Sequence, residues 1–240
     1  MISSLDNEKI KKLVKLQKRR YRDLYKEYVI EGEHLIGEAI KVGSIIEIFV
    51  VEGYEFNADY PVTVVSRKVM RKISTMDTPS NVIALCKKII NKNIGKKILL
   101  LDELQDPGNL GTIIRSSVAF NIDTIILSED SVNLYNDKVV RSSEGMIFNT
   151  NIITMNLKTA INEIKSRGIK VYGTDLKGSK YLSEFEKPSS FALVLGNEGM
   201  GAKKEILDLC DENIKIEMSN SCESLNVGVA GSIILYEWRN

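Results

Sequence analysis

No apolar run in the 240-residue chain approaches the roughly 18 residues that a membrane-spanning helix needs, and the first residues are charged rather than signal-like. A cytoplasmic protein with no spanning or secretory segment is expected. Histidine occurs once, at His34, and cysteine three times, at Cys86, Cys210 and Cys222, far apart and with no C-x-x-C spacing. Zinc sites and disulfide frameworks need clustered or paired ligands, so no metal and no disulfide is expected. Neither sign of charge dominates, the formal net charge being +1. No G-x-G-x-x-G turn follows an early strand, which disfavours a Rossmann-type cofactor fold.

What is present divides in two. Residues 1–96 hold 18 Lys/Arg against 12 Asp/Glu, and residues 97–240 hold 15 against 20. The cationic half is the candidate for meeting a polyanion. Its surplus gathers in Asn7–Arg22, which reads as a helix with Ile10, Leu13, Val14 and Gln17 on one face and Lys11, Lys12, Lys15, Lys18 and Arg19 largely off it. Lys18, Arg19, Arg20 and Arg22 are the candidate phosphate contacts; a solvated helix face explains the same pattern equally well. Tyr21, Tyr25 and Tyr28 interleave with the cations and could stack on bases, with core packing the simpler role for at least one. Strands over Tyr28–Gly32, Ile45–Val51, Pro61–Val65 and Val82–Cys86 and helices over Glu33–Val42 and Arg67–Ile73 make a small α/β domain. His34 reads as a surface or capping residue. Polar Asn91–Lys97 reads as a linker, so domains over residues 1–95 and 96–240 are expected, with the boundary near Gly95.

In the second half, apolar runs at Ile98–Leu101, Thr124–Leu127 and Phe191–Leu195, with further strand candidates at Ile152–Thr154, Lys170–Thr174 and Ile214–Met218, alternate with helical patterns. Such runs are strands covered on both faces, and the alternation argues a parallel sheet between helices. Three polar stretches interrupt it. Asp106-Pro-Gly-Asn109 breaks the chain before a helix whose inward stripe is Ile113, Ile114, Ser117 and Val118, leaving Arg115 off the stripe; Asn109 is the candidate cap. Gly196-Asn-Glu-Gly-Met-Gly201 follows an apolar strand, with Asn197 and Glu198 its only hydrogen-bonding side chains. Ser224-Leu-Asn-Val-Gly-Val-Ala-Gly231 opens a helix on which Leu225, Val229, Ser232, Ile233 and Tyr236 fall at helical spacing, with Ser224 at the expected cap. Gly228 and Gly231 each cost about 1 kcal/mol in a helix relative to Ala, so some other element must approach them closely.

These three stretches, in this order, resemble the signature motifs of the SpoU/TrmH branch of the SPOUT RNA methyltransferases, over roughly Lys97 to the C-terminus. The first 95 residues resemble the substrate-binding domain often found ahead of that catalytic domain, itself similar to ribosomal proteins; Glu31-Gly32 and Glu38-Ala39 carry that likeness. Ser80-Asn81 departs from it, since the family usually has Gly at the second position, but Asn tolerates left-handed geometry.

The resemblance implies a SPOUT domain with a deep trefoil knot, a homodimer, and transfer of a methyl group from S-adenosylmethionine to a ribose 2′-hydroxyl of RNA, with 23S ribosomal RNA the favoured substrate. Transfer RNA is the alternative, and a catalytically silent RNA-binding assembly factor a third, which intact Asn109, Arg115, Glu198 and Asn226 argue against. By the same resemblance Arg115, Asn109, Glu198, Ser224 and Asn226 are catalytic. Thr174, Leu195, Gly196, Asn197, Gly199, Ile216, Met218, Leu225 and Asn226 hold the cofactor. Lys138 and Arg141, in a Lys-x-x-Arg-x-Ser-x-Gly segment, join the RNA-facing residues. Guanidinium stays protonated in proteins, so Arg115 suits phosphate anchoring and alkoxide stabilisation better than proton abstraction; phosphate, water or Glu198 would take the proton.

Overall fold

Five consecutive residues of the strand Val82–Lys87 are buried, a run that only a central strand covered on both faces can carry. The computed structural model, which describes residues 1–90, 93–176 and 180–239, sets this strand in a four-stranded sheet. Strands β1 (Glu27–Glu31), β2 (Ile45–Val51), β3 (Val62–Val65) and β4 (Val82–Lys87) are ordered β1-β4-β2-β3, with β4 antiparallel to both neighbours and β2 parallel to β3. Alternate residues serve the two faces. Phe49, Val65, Ile83 and Leu85 meet Ile10, Leu13 and Leu16 of α1 (Glu8–Leu16) and Val69, Met70 and Ile73 of α4 (Arg67–Ile73). On the other face lies α3 (Glu33–Lys41), packed on β1, β2 and β4.

Residues Asn133–Phe148 group with Met1–Ile89 as the first compact unit, and Ile90–Val132 with Asn149–Asn240 form the second. The boundary expected near Gly95 assigns the whole of 133–148 to the second half instead. The segment docks through Tyr135, whose ring lies 4.4 Å from that of Tyr28 and whose hydroxyl donates to the Ile89 carbonyl and accepts from the Ile89 N–H. His34 Nε2 lies 3.2 Å from the Glu144 carbonyl oxygen. Gly145, at φ +79°, leaves no room for a Cβ beside Glu38 Cγ.

The helix expected over Asn7–Arg22 is two. Asn7 caps α1, whose end at Leu16 is followed by α2 (Arg19–Tyr25), and Lys26 in left-handed geometry turns the chain into β1. Arg22, expected among the RNA-facing cations, is only 6% exposed. Its guanidinium donates to the Leu16 and Gln17 carbonyls at the end of α1 and twice to Asn133 Oδ1. A long cation can cap orphan carbonyls in this way, and the break between the helices creates them. Tyr28 is fully buried, while Tyr21 and Tyr25 stack on each other at 6.3 Å. Asn81 has no left-handed backbone; the turn before β4 is held instead by Glu31, whose carboxylate accepts from Ser74 Oγ and from the Thr75 and Ser80 N–H groups.

The second unit carries a seven-stranded sheet, parallel throughout. Its strands are β5 (Lys97–Leu101), β6 (Thr124–Leu127), β7 (Asn151–Thr154), β8 (Val171–Thr174), β9 (Lys180–Tyr181), β10 (Phe191–Leu195) and β11 (Glu212–Lys215), ordered β7-β6-β5-β10-β8-β11-β9. One face packs on α7 (Leu157–Ser166) through Leu157, Ala160, Ile161 and Ile164. The other carries α5 (Pro107–Ala119) and α9 (Val227–Glu237). A short α6 (Asp137–Ser142) belongs to the first unit, and α8 (Lys204–Leu207) precedes β11. The last strand ends at Lys215 rather than Met218. Asn91 and Lys92 of the expected linker lie outside the described residues. Gly95 is already packed: its N–H donates to Thr124 Oγ1, and a Cβ there would overlap the Asp123 side chain, which accepts from the Lys96 and Lys97 N–H groups.

Because Arg22 serves as an internal cap, Arg22→Ala is expected to destabilise the first unit by about 2–3 kcal/mol. A urea titration measures this, and RNA affinity under native conditions should stay within about 2-fold of the parent.

Candidate active site

Parallel order places the carboxyl ends of β5, β10, β8 and β11 side by side, and open α/β sheets bind ligands at such ends. The loops leaving these four strands hold residues 102–106, 196–203, 175–176 and 216–226. The Asp102 N–H donates to the Leu195 carbonyl, Thr174 Oγ1 to that of Val194, and the Asp175 N–H to that of Ile214, so the loop starts are tied strand to strand.

A chain of amides joins the three polar stretches. Asn226 caps α9, its Oδ1 accepting from the Gly228 and Val229 N–H groups. Its Nδ2 donates to Asn109 Oδ1 at 2.8 Å, and Asn109 Nδ2 donates to Glu198 Oε1 at 3.0 Å. Glu198 also accepts from the Asp106 and Gln105 N–H groups at 2.8 and 3.2 Å. Both ends fix the direction: an ionised carboxylate only accepts, helix N–H groups only donate, and one orientation of each Asn satisfies both. Burial pushes the Glu198 carboxyl up, but the hydrogen bonds from Asn109 and from the Asp106, Gln105 and its own N–H groups outweigh this and hold it below its ordinary value.

Asp106, not Asn109, caps α5: its Oδ1 accepts from the Asn109 N–H, and Pro107 takes the first helical position. The Asp-Pro pair is the readable signal, since proline at the first position needs no N–H partner. Likewise the cap of α9 is Asn226 rather than Ser224, which is exposed with its hydroxyl unpartnered among the described residues. The inward face of α9 is Gly228, Gly231, Ile234 and Leu235, while Val229 and Tyr236 are 46% and 49% exposed. A Cβ at Gly231 would sit 2.7 Å from Leu195 Cδ1, and one at Gly228 would sit 3.2 Å from Thr112 Cγ2 of α5. The glycines let α9 lie against β10 and α5, and Ser116 and Ser232 complete the packing with a 2.6 Å hydrogen bond.

Gly196 is fixed more strictly. A Cβ there would overlap the Ala202 nitrogen and the Gly201 carbonyl carbon, because the loop closes back over the end of β10. The closure is a reciprocal pair of backbone hydrogen bonds between Asn197 and Gly201, with Gly201 at φ +71°. Asn197 reaches the Glu103 carbonyl through Nδ2 and accepts from the Gly199 and Met200 N–H groups. Asp102 and Glu103, which no sequence motif singles out, brace the same loop. Asp102, 3% exposed, accepts from the Lys203 N–H, and burial pushes its carboxyl up. Glu103 pairs with Lys203 Nζ at 2.6 Å.

Thr174, Ile216, Met218 and Leu225 are half-buried at these strand ends. The Met218 and Leu225 N–H groups donate to no acceptor among the described residues. Unspent amides, short apolar side chains and a loop closed over Gly196 suit a flat adenosyl group gripped by backbone. Arg115 is exposed on α5 with no partner among the described residues, as an anion-binding side chain would be. The remaining candidate cations belong to the first unit: Lys18 and Lys138 are exposed, Arg20 lies over the Tyr21 ring, Arg19 pairs with Asp23, and Arg141 bonds Asp137 and Thr75. No group of His, Cys, Asp and Glu suited to a metal occurs among the described residues, and no helix is long and apolar enough to cross a membrane.

Residues 96–236 match the model of the SpoU rRNA Methylase family, and residues 7–84 that of the MRM3-like substrate binding domain. The 23S rRNA (guanosine(2553)-2′-O)-methyltransferase RlmP of Bacillus subtilis is 35% identical, over 99% of this chain and 98% of its own. Among solved structures, the AdoMet-bound rRNA methyltransferase from Sinorhizobium meliloti superposes with a TM-score of 0.87 at 26% identity, covering 99% of this chain and 96% of that one. An RNA 2′-O ribose methyltransferase gives 0.83 at 27% identity, covering 99% and 97%.

Gly196→Ala is expected to destabilise the second unit by about 3 kcal/mol or more, since backbone rather than a flexible side chain fills the space; thermal unfolding measures it. Glu198 stabilises the fold fully above its unfolded value of about 4.3, and that contribution is lost as pH falls through its lower folded value. The difference in urea midpoint between the parent and Glu198→Gln should therefore be flat above about pH 5 and shrink below about pH 4.

Proposed function

The chain belongs to the SpoU rRNA methylase family, which makes it an S-adenosylmethionine-dependent RNA 2′-O-methyltransferase, and we propose that its substrate is a single ribose 2′-hydroxyl of 23S ribosomal RNA. The guanosine in the name of the Bacillus subtilis relative is the first position to examine. The observation that carries the reading is the Asn226–Asn109–Glu198 chain, which draws all three polar stretches into one site.

S-adenosylmethionine supplies an electrophilic methyl group on a sulfonium, so the protein need only hold donor and hydroxyl in line and manage one proton. Backbone at Thr174, Leu195, Gly196, Asn197, Gly199, Ile216, Met218 and Leu225 grips the adenosyl part, and Asn226 fixes the loop that carries Leu225. Arg115 stays cationic, anchors the phosphate next to the target ribose and stabilises the forming alkoxide. Glu198 is a positioning residue: with Asn109 and two neighbouring N–H groups already donating to it, and a lowered pKa, it is a poor base. The proton passes to phosphate or water. Ser224 contacts the substrate in this reading, which its unspent hydroxyl, two residues before the cap, supports.

The first unit binds the RNA, and the second carries the chemistry. A second copy of the chain covers the exposed apolar side chains of α9, Val229 and Tyr236, beside Phe120, whose ring meets that of Tyr236 at 5.9 Å. A trefoil knot at the cofactor site is supported by the path of the chain, which leaves β11 beyond β8 and returns to α5. A cytoplasmic location follows from the substrate.

Incubation with tritiated S-adenosylmethionine and unmodified large-subunit, small-subunit and transfer RNA transcripts, followed by alkaline hydrolysis, tests the proposal. One labelled, hydrolysis-resistant position in the large-subunit RNA is expected; label confined to transfer RNA, or to a base, would overturn it. Arg115→Lys should bind RNA within about 3-fold of the parent while turnover falls by about 100-fold or more, the scale of removing a preorganised charge; near-normal turnover would remove Arg115 from the mechanism.

A further inference from the structure

Four cations of the basic N-terminal stretch are committed to acids in the fold, Lys15 and Arg20 lie over the Tyr21 ring, and Arg22 is buried. Lys9 pairs with Glu47, Lys11 with Glu8 and Lys12 with Glu27, and Arg19 with Asp23 on the next helix. Helix α4 differs. Arg67, Lys68, Arg71 and Lys72 are exposed, and none has an acid partner among the described residues. Arg67 and Arg71, one helical turn apart, point to the same side, and with Lys68 they line an open groove of about 690 Å³.

Gly53, Tyr54 and Pro79-Ser80-Asn81 form the rest of its polar wall. This wall is preformed. Glu31, 8% exposed, holds the loop at both ends by accepting from Ser74 Oγ at 2.7 Å and from the Ser80 N–H at 2.8 Å. Tyr54 is fixed by its hydroxyl, which donates to Glu33. Glu52 is the acid within the groove, and its carboxylate takes the Arg67 N–H.

We propose that this groove, rather than the basic N-terminal helix, is the surface through which the first unit grips the RNA backbone. Three unpaired cations beside a rigid wall of amide, hydroxyl and aromatic groups match a phosphodiester strand with an adjacent base. The inference rests on the reading of the chain as an RNA methyltransferase and names the surface that reading leaves open. It also explains why the substrate-binding unit keeps a buried carboxylate at Glu31: the charge organises a loop, not a ligand.

The test compares binding of a fluorescent large-subunit RNA fragment across a salt series for three full-length proteins: the parent, Arg67→Gln/Lys68→Gln/Arg71→Gln, and Lys9→Gln/Lys11→Gln/Lys12→Gln. Removing one cation that neutralises a phosphate should lower the slope of log K against log salt by roughly 0.7–0.9. The groove variant should bind at least about 10-fold more weakly with a slope smaller by about 2, and the helix variant less than about 3-fold more weakly. S-adenosylmethionine affinity and melting midpoint should match the parent. If the triple variant melts early, Arg71→Gln alone should still lower the slope by nearly one unit. A groove variant with parental affinity and slope, while the parent methylates RNA, would overturn the groove and leave the activity intact. Preference for an acidic peptide over RNA would also overturn it. A parent that neither binds nor methylates any RNA would overturn the activity along with the groove.

Discussion

Everything at the candidate site depends on one chain of neutral amides that starts at a helix cap and ends on a carboxylate. Asn226 spends its oxygen on the first N–H groups of α9, Asn109 passes the direction on, and Glu198 receives it together with two backbone N–H groups. Residues more than a hundred positions apart are thereby held as one surface. A network of this kind is worth most when every member is satisfied. Here each amide has a partner at both ends.

The sheet makes that network possible. Parallel order brings four loop starts to one edge, and the glycines allow the loops and the last helix to close on it. Gly196 admits the returning backbone of Gly201 and Ala202, and Gly231 admits Leu195. In the proposed site the cofactor contacts come mainly from main chain, and the exposed guanidinium of Arg115 is the proposed source of charge. In the first unit a buried carboxylate and a buried guanidinium play the corresponding structural parts: Glu31 holds the loop before β4, and Arg22 closes the end of α1.

Much of this is legible in the residues. The buried strands announce themselves as unbroken apolar runs, so β6 and β10 match their expected limits to the residue, and Arg67–Ile73 is the expected helix. The spacing of Asn109, Glu198 and Asn226 points to the site through resemblance, but not to the direction of its hydrogen bonds. Where residue patterns mislead, the cause is physical. The inward face of α9 is built on two glycines, which hydrophobic periodicity cannot register, so the pattern places Val229 and Tyr236 inside when they are exposed. A charge count cannot tell cations already paired on α1 from unpaired ones on α4. Nor can it show that Arg22 turns inward, because only the break after Leu16 creates the carbonyls it caps. The grouping of residues 133–148 with the first unit depends on a tyrosine pair distant in sequence, Tyr28 and Tyr135.

The central claim is that the three loops act as one hydrogen-bonded unit, and a double-mutant cycle on Asn109 and Asn226 tests it most directly. The free energy of S-adenosylmethionine binding is measured by calorimetry for the parent, Asn109→Ala, Asn226→Ala and the double variant. Coupling of about 0.5–3 kcal/mol is predicted, the range for residues sharing one network. Additive effects, within about 0.3 kcal/mol, would contradict the account.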